Sequence, residues 1–222
     1  MIRDSLLVAG KDLRIEWRAR VLTNQVAPFT LLIVVLFGFA LDANPGTLRD
    51  TAPGLFWVAV LLVTMLAVQR AAAIETADAA QQRMLLSDLD PGAVFLGKMA
   101  ALVVQLLALE VLLAAAVLVL FDVSVREPAL MVVAAIVATV GIAAAGTLYG
   151  ALAVGLGVRE TLLPILLLPT LAPVLIGATR TFGDAFDRVA ADGWAWLGLL
   201  GVFAVLYCVI GTLAYGVLLE ET

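Results

Sequence analysis

Six long apolar runs constrain the fold of this chain more than any other feature. They cover residues 26–42, 53–70, 94–121, 129–155, 161–178 and 194–218. A helix needs about 20 mainly apolar residues to cross a bilayer. The chain is 64% hydrophobic and 14% charged, whereas soluble domains are roughly 45–50% apolar. The sequence therefore predicts an all-α integral membrane protein with six transmembrane helices.

Lysine and arginine are divided unevenly between the two sides of this predicted bundle. Nine of the 13 lie on the side that holds the N-terminus, and four lie on the other side. Cytoplasmic loops carry the excess of these residues. Because six spans return the chain to its starting side, we expect a multi-pass protein with both termini in the cytoplasm.

The first 25 residues mix charged and apolar side chains. At the helical period, Leu6, Leu13, Trp17 and Val21 fall on one side and most charges fall elsewhere. This pattern predicts an N-terminal amphipathic helix in the membrane interface, with basic residues near lipid headgroups. A cytosolic tail is the alternative. Charges throughout the segment do not fit the compact apolar core of a cleavable signal peptide.

Residues 92–99 read GAVFLGKM, one residue short of the phosphate-binding pattern G-x-x-x-x-G-K-[ST]. That pattern works where a strand leads into a helix of a soluble domain, so that backbone amides cradle phosphates. Here the segment runs into a membrane span, and Met99 stands where a magnesium-binding Ser or Thr is needed. We interpret residues 90–92 as the turn that starts the third span, and Lys98 as a lysine snorkelling at the cytoplasmic boundary.

The residue types needed for common catalytic and metal chemistry are scarce. The chain has no histidine and a single cysteine, Cys208. The commonest transition-metal ligand is therefore missing, and no intrachain disulfide can form. No Ser-His-Asp, Cys-His or paired-carboxylate arrangement can be built. The sequence contains no basic stripe, so nucleic-acid binding is not expected. We expect a non-catalytic protein without a bound metal.

The longest polar segment, residues 71–92, joins the second and third predicted spans. Its alanine-rich first half favours a helix. The sequence MLLSDLDPG then combines a small apolar cluster with two acids and a turn. An apolar patch on a cytoplasmic loop indicates a protein partner. Packing against the chain's own helices is the alternative.

Two features inside the predicted spans have both a functional and a packing interpretation. Glu110 lies near the middle of the third span, where an ionisable residue should face the bundle, a cavity or a subunit interface. It is either a substrate or proton site or one half of an interhelical hydrogen bond. The fifth span contains Pro164, Pro169 and Pro173. Because proline lacks a backbone donor, we expect this helix to be kinked or broken, as a mobile or pathway-lining element or as a static kink.

Small and aromatic residues give further expectations. Gly146 and Gly150 form a small-xxx-small face in the fourth span, which favours close helix packing inside the chain or a dimer seam. Five aromatic residues lie mostly towards span ends and are interpreted as interfacial anchors: Trp57, Trp194, Trp196, Tyr207 and Tyr215.

Three stretches resemble the haem exporter protein B family, CcmB. They are APGLFWVAVLL (52–62), MLLSDLDPGAVFLGKMAA (84–101) and LLLPTLAPVLIGAT (166–179). The amphipathic N-terminal helix, the six spans and the long cytoplasmic segment also resemble permease subunits of ABC-2-type exporters. Together these features cover essentially the full chain.

The resemblance implies one transmembrane permease domain over residues 1–222, with an ABC-2-type exporter fold, in the bacterial inner membrane. Its parts would be an interfacial helix (1–25), spans one and two (26–70), an ATPase-coupling segment (71–92) and the remaining spans (93–222). It implies a homodimer that works with a cytoplasmic ATPase subunit (CcmA-like), where ATP binds. A haem-handling membrane protein (CcmC-like) and a haem chaperone (CcmE-like) would complete a system for cytochrome c maturation. Haem would then be a handled substrate, not a bound cofactor.

Within this frame two sets of residues are candidates for function. For coupling to the ATPase we propose the following residues: Glu75, Asp78, Arg83, Leu85, Asp88 and Asp90. For a membrane pathway or helix bend we propose these: Glu110, Pro164, Pro169 and Pro173. The alternatives are an ABC-2 permease for a lipid, drug or polysaccharide, and an ion-coupled carrier built around Glu110.

Overall fold

A computed structural model describes residues 1–20, 22–77, 90–155, 159–187 and 192–220, and all regular structure in these ranges is helical. The helices are α1 (Ile2–Ala19), α2 (Ala27–Ala40), α3 (Pro45–Ala77), α4 (Pro91–Leu120), α5 (Pro128–Gly155), α6 (Arg159–Ala185) and α7 (Gly193–Glu220). A π-helical turn, Leu22–Val26, joins α1 to α2. The all-α prediction is confirmed.

Five helices, α3 to α7, are each long and apolar enough to cross a membrane. The predicted first span corresponds to α2, which has 14 residues. At 1.5 Å per residue it is about 21 Å long, less than the roughly 30 Å thickness of a hydrocarbon core. A sixth candidate span results if α1 and residues 24–40, which are bent by 56° relative to each other, are counted as one.

Polar contacts show that successive helices turn back at alternate ends of the bundle. At one end, Arg49 near the start of α3 pairs with Asp122, just after α4. At the same end, Arg126 before α5 pairs with Asp187 after α6 at 2.6 Å. The predicted alternation of the chain is therefore present. The assignment of this end to the outer side stays a prediction.

Helix α5 lies centrally and packs against α3, α4, α6 and α7. A Cβ added to Gly146 would lie 2.9 Å from Val68 of α3, and one added to Gly150 would lie 3.0 Å from the same side chain. The small-residue face thus packs inside a single chain. Small residues also fill the fully buried part of α5: Ala134, Ala138, Ala143, Ala144 and Ala145.

An aromatic cluster extends the core beyond residue 178, where the fifth apolar run ends. Phe182 of α6 packs against Phe56 and Trp57 of α3, with ring centroids 4.9 and 5.0 Å apart. This burial continues the inward face of α6, so the helix runs to Ala185, about two turns beyond its predicted end. Trp57 and, on α7, Tyr215 are each only 1% exposed, so their interpretation as interfacial anchors is wrong.

Candidate coupling and pathway site

The N-terminal helix α1 docks closely on the first turns of α4. A Cβ added to Gly97 would lie 2.6 Å from the carbonyl oxygen of Ser5 and 2.7 Å from Cβ of Val8. Val8 and Ala9 are buried. A residue without a side chain is therefore needed where the two helices meet. The second glycine of GAVFLGKM thus has a packing role.

Helix α4 begins where the sequence predicted a turn. Asp90 is its N-cap, and Oδ1 of Asp90 accepts a hydrogen bond from the backbone N–H of Gly92 at 2.9 Å. An aspartate cap followed by proline at the first helical position is a strong start signal. The prediction for residues 90–92 is confirmed. Lys98 is only 8% exposed. The snorkelling prediction is wrong, because α1 and α7 pack over this end of α4.

A second contact joins α1 to α3. Nε of Arg70 lies 3.5 Å from Oε2 of Glu16, and both side chains are mostly buried. Beyond Arg70 the helix continues to Ala77, as predicted for the first part of the segment 71–92. Helix α1 therefore contacts both helices that flank residues 78–89, a stretch that lies outside the described residues.

The structure gives a contact for one of the six proposed coupling residues. The carboxylate of Asp90 is engaged as the helix cap. Glu75 lies in the last turns of α3, with its side chain outside the described part. The others also lie outside the described residues: Asp78, Arg83, Leu85 and Asp88.

Glu110 lies buried between α4 and α5 and is 4% exposed. The hydroxyl of Thr139 donates a hydrogen bond to Oε1 of Glu110 at 2.6 Å. Oε2 of Glu110 has no hydrogen-bond partner among the described residues. The interhelical hydrogen bond expected for this residue is thus present, and burial keeps the acid away from lipid, where it would be costly. A substrate or proton role stays a prediction.

The three prolines do not break α6, which is one helix from Arg159 to Ala185. Of the two expected outcomes, a kink or a break, the break is absent, and the kink stays a prediction. Pro164 is half-buried, whereas Pro169 and Pro173 are exposed. Proline provides no N–H, so the carbonyl of Ile165 loses its usual partner at residue 169. The opposite face of α6 carries the buried residues: Leu163, Leu167, Leu171, Val174 and Ala178. Pro169 and Pro173 therefore lie on the outer surface of the chain.

A cluster of hydroxyl groups beside this surface is not evident from the sequence. The hydroxyl of Thr170 donates to Oη of Tyr149 at 3.2 Å, and the phenol of Tyr207 interacts with both groups. Tyr207 also stacks on Phe203, with ring centroids 4.5 Å apart. The three hydroxyl-bearing residues come from α5, α6 and α7, so no local sequence pattern joins them. Among the described residues, no group of three His, Cys, Asp or Glu side chains is placed to hold a metal ion.

The family model described as CcmB protein matches residues 3–221. The chain belongs to the CcmB family. Similar proteins are named Heme exporter protein B. The one from Haemophilus influenzae is 27% identical over 200 residues, 90% of each chain. The one from Rhodobacter capsulatus is 30% identical over 190 residues, 84% of this chain and 83% of that protein. The CcmB match runs from α1 to the end of α7, which confirms the predicted resemblance over nearly the whole chain.

Proposed function

We propose that this protein is the membrane permease subunit of an ABC transporter complex that serves cytochrome c maturation. The observation that carries this proposal is the CcmB family match over residues 3–221, with relatives named Heme exporter protein B. Five helices suited to crossing a membrane support it. Haem is the proposed substrate of the complex, either exported or released on a haem-loaded chaperone (CcmE-like).

In this proposal ATP is hydrolysed by a separate cytoplasmic subunit (CcmA-like), and this chain is not itself a catalyst. The geometry of residues 92–99 supports the assignment of ATP hydrolysis to a separate subunit. The N–H of Gly92 is taken by Oδ1 of Asp90, and from Val94 onward the amides of this segment are engaged in helical hydrogen bonds. Gly97 is also covered by α1. A phosphate-binding loop needs amides that point at the phosphate.

The proposed coupling surface is the segment 71–92 together with α1. Movement of the segment would act first on the helices that flank it, α3 and α4. Helix α1 contacts α3 through Glu16 and Arg70 and contacts α4 at Gly97. This arrangement supports a route by which a conformational change in the ATPase is transmitted to the spans. The protein would lie in the bacterial inner membrane with both termini cytoplasmic, beside a haem-handling subunit (CcmC-like).

A homodimer is part of the proposal, and the outer surface of α6 supports it. Pro169 and Pro173 are exposed there. Backbone carbonyls that lack a helical partner are costly in lipid unless protein or water satisfies them. A second subunit against this surface would provide such an environment.

The first test is co-purification in detergent with the ATPase subunit, while ATP hydrolysis is recorded. We expect a stoichiometric complex with altered ATPase activity, and weaker binding for Asp78→Asn and Asp88→Asn. Asp42→Asn is the matched control, because Asp42 is exposed at the opposite end and has φ 53°, which asparagine tolerates. A chain that purifies alone and leaves hydrolysis unchanged would contradict the proposal.

Complementation addresses the substrate. Restored cytochrome c production in a permease-deficient strain is the expected result, and failure of the well-expressed protein would favour a permease for another substrate. An ion-coupled carrier is the second candidate, because Oε2 of Glu110 has no partner among the described residues. That function predicts transport without any ATPase and its loss in Glu110→Gln.

A further inference from the structure

The charged residues of α1 are sorted onto different faces of the helix. Asp12 and Glu16 lie on the half-buried side towards the bundle. Lys11, Arg14 and Arg18 are exposed, and at 100° per residue the two arginines lie roughly opposite Glu16. The side of α1 that faces away from the protein is therefore basic, even though the whole chain has a net charge of −5.

The basic side chains border exposed apolar ones. A groove of about 420 Å³ on α1 has both kinds of lining: Leu6, Leu7, Gly10, Lys11, Arg14, Ile15 and Arg18. Leu6 and Leu7 are more than half exposed, and Trp17, the neighbour of Arg18, is 86% exposed. Such apolar exposure beside positive charge is typical of helices that lie in the headgroup region.

The two arginines are available for an external ligand. Lys11 pairs with Asp12 at 3.0 Å. Within the described ranges, no carboxylate lies within ion-pair distance of Arg14 or Arg18. Guanidinium groups match phosphate oxygens well, because their N–H groups form paired, charge-assisted hydrogen bonds.

We propose that the basic face of α1, formed by Lys11, Arg14 and Arg18 with Leu6 and Leu7, binds an anionic phospholipid. The arginines would hold the headgroup phosphate, and the leucines would contact the start of the acyl chains. A soluble anion would match the arginines but leave the adjoining leucines in water. The proposal needs only a membrane-embedded chain, so it stands apart from the haem assignment.

The experiment places the full chain in nanodiscs that contain brominated phosphatidylglycerol or brominated phosphatidylcholine. Bromine quenches tryptophan at short range. The difference between wild type and Trp17→Phe isolates the signal of the tryptophan next to the basic face. Titrating each brominated lipid gives the preference of the site for the anionic lipid. We expect a clear preference in the wild-type protein.

Variants then test the arginines. Each basic residue near a membrane surface adds about fivefold to the affinity for anionic lipid. Arg14→Gln should therefore lower the preference about fivefold, and Arg14→Gln with Arg18→Gln about 30-fold. Arg14→Lys with Arg18→Lys, which keeps the charge, should retain most of the preference for the anionic lipid. Arg180→Gln is the matched control, because Arg180 is exposed on α6, away from α1, and should leave the preference unchanged.

Several results would overturn the proposal. Equal quenching by the two lipids in the wild-type protein would show that the face does not select charge. A preference that survives in the double glutamine variant, or that remains in Trp17→Phe, would place the lipid site elsewhere. Displacement by millimolar inorganic phosphate would identify a soluble anion as the ligand. A loss of preference with rising salt is expected, since exposed charges are screened.

Discussion

The contact between α1 and α4 depends on the missing side chain of Gly97, and alanine at this position tests it directly. The added Cβ would lie 2.6 Å from the carbonyl oxygen of Ser5, about 0.8 Å closer than the 3.4 Å at which ordinary van der Waals contact begins. The nearest atom belongs to the backbone and cannot rotate away. The added Cβ would also lie 2.7 Å from Cβ of Val8, so it has no free space on that side either. Helix α1 must therefore move as a body.

The size of the effect follows from two opposing terms. Overpacking of a tight interface costs about 1–3 kcal/mol, and two rigid neighbours closer than 3.0 Å place Gly97→Ala in the upper part of that range. Replacing glycine by alanine inside a helix stabilises the helix by up to about 1 kcal/mol. We expect a net loss of about 1–2 kcal/mol in the free energy of unfolding.

The assay is unfolding in mixed micelles of SDS and a mild detergent, followed by circular dichroism. Gly198→Ala is the matched control, because an added Cβ there has no neighbour within 4 Å. It keeps the propensity gain without the clash, so the two variants should differ by about 2–3 kcal/mol. If they agree within about 0.5 kcal/mol, α1 does not sit this close to α4 and the packing explanation for Gly97 is wrong.

Three further tests address separate features: the cap of α4, the buried hydrogen bond and the prolines of α6. Asp90→Ala should cost about 0.5–2 kcal/mol of stability by removing the helix cap, whereas Asp90→Asn keeps a capping oxygen, so it should nearly preserve stability and weaken only the proposed ATPase coupling. If Asp90→Asn is stable but uncoupled, the charge itself contacts the ATPase. A double-mutant cycle of Glu110→Leu with Thr139→Val should give a coupling energy of about 0.6–1.7 kcal/mol, and zero coupling would refute the hydrogen bond. Pro169→Ala should raise stability by up to about 3 kcal/mol, because it restores a helical N–H. A fall in stability would mean that the proline ring itself makes a required contact.

The sequence predicted which segments are helical but placed some helix ends wrongly. An apolar run marks the part of a helix that lies in the membrane. It does not show how far the helix continues beyond the membrane. Helix α3 starts at Pro45, eight residues before its apolar run at 53–70. The start signal was present, since Oδ1 of Asn44 accepts hydrogen bonds from the amides of Gly46 and Thr47 at 3.0 and 3.2 Å. An asparagine cap followed by proline would have identified this boundary.

The inward faces of the helices were harder to predict, because in a uniformly apolar helix periodicity carries little information. Trp57 and Lys98 both looked suited to the membrane surface, and both are buried by neighbouring helices. Their surroundings depend on contacts between helices that are distant in sequence. The same holds for Thr139, which no pattern paired with Glu110. The polar character of Glu110 did predict that it would face protein, because lipid exposure of an acid is unfavourable at any helix position.

The packing of this chain bears on where a haem-sized substrate could pass. Helix α5 fills the centre of the bundle. At Gly146 and Gly150 it packs directly against the side chain of Val68, and no space is left between α5 and α3. A passage through that interface would require α3 and α5 to separate. The hydroxyl cluster at Thr170 lies next to the exposed Pro169 at the surface of α6. These polar groups match an amphipathic substrate better than the apolar centre does, and a chain without histidine cannot use the commonest axial ligand. If the proposed haem route runs through this subunit, the outer face of α6 is the surface that fits it best, and Pro169→Ala should then alter transport even where it stabilises the helix.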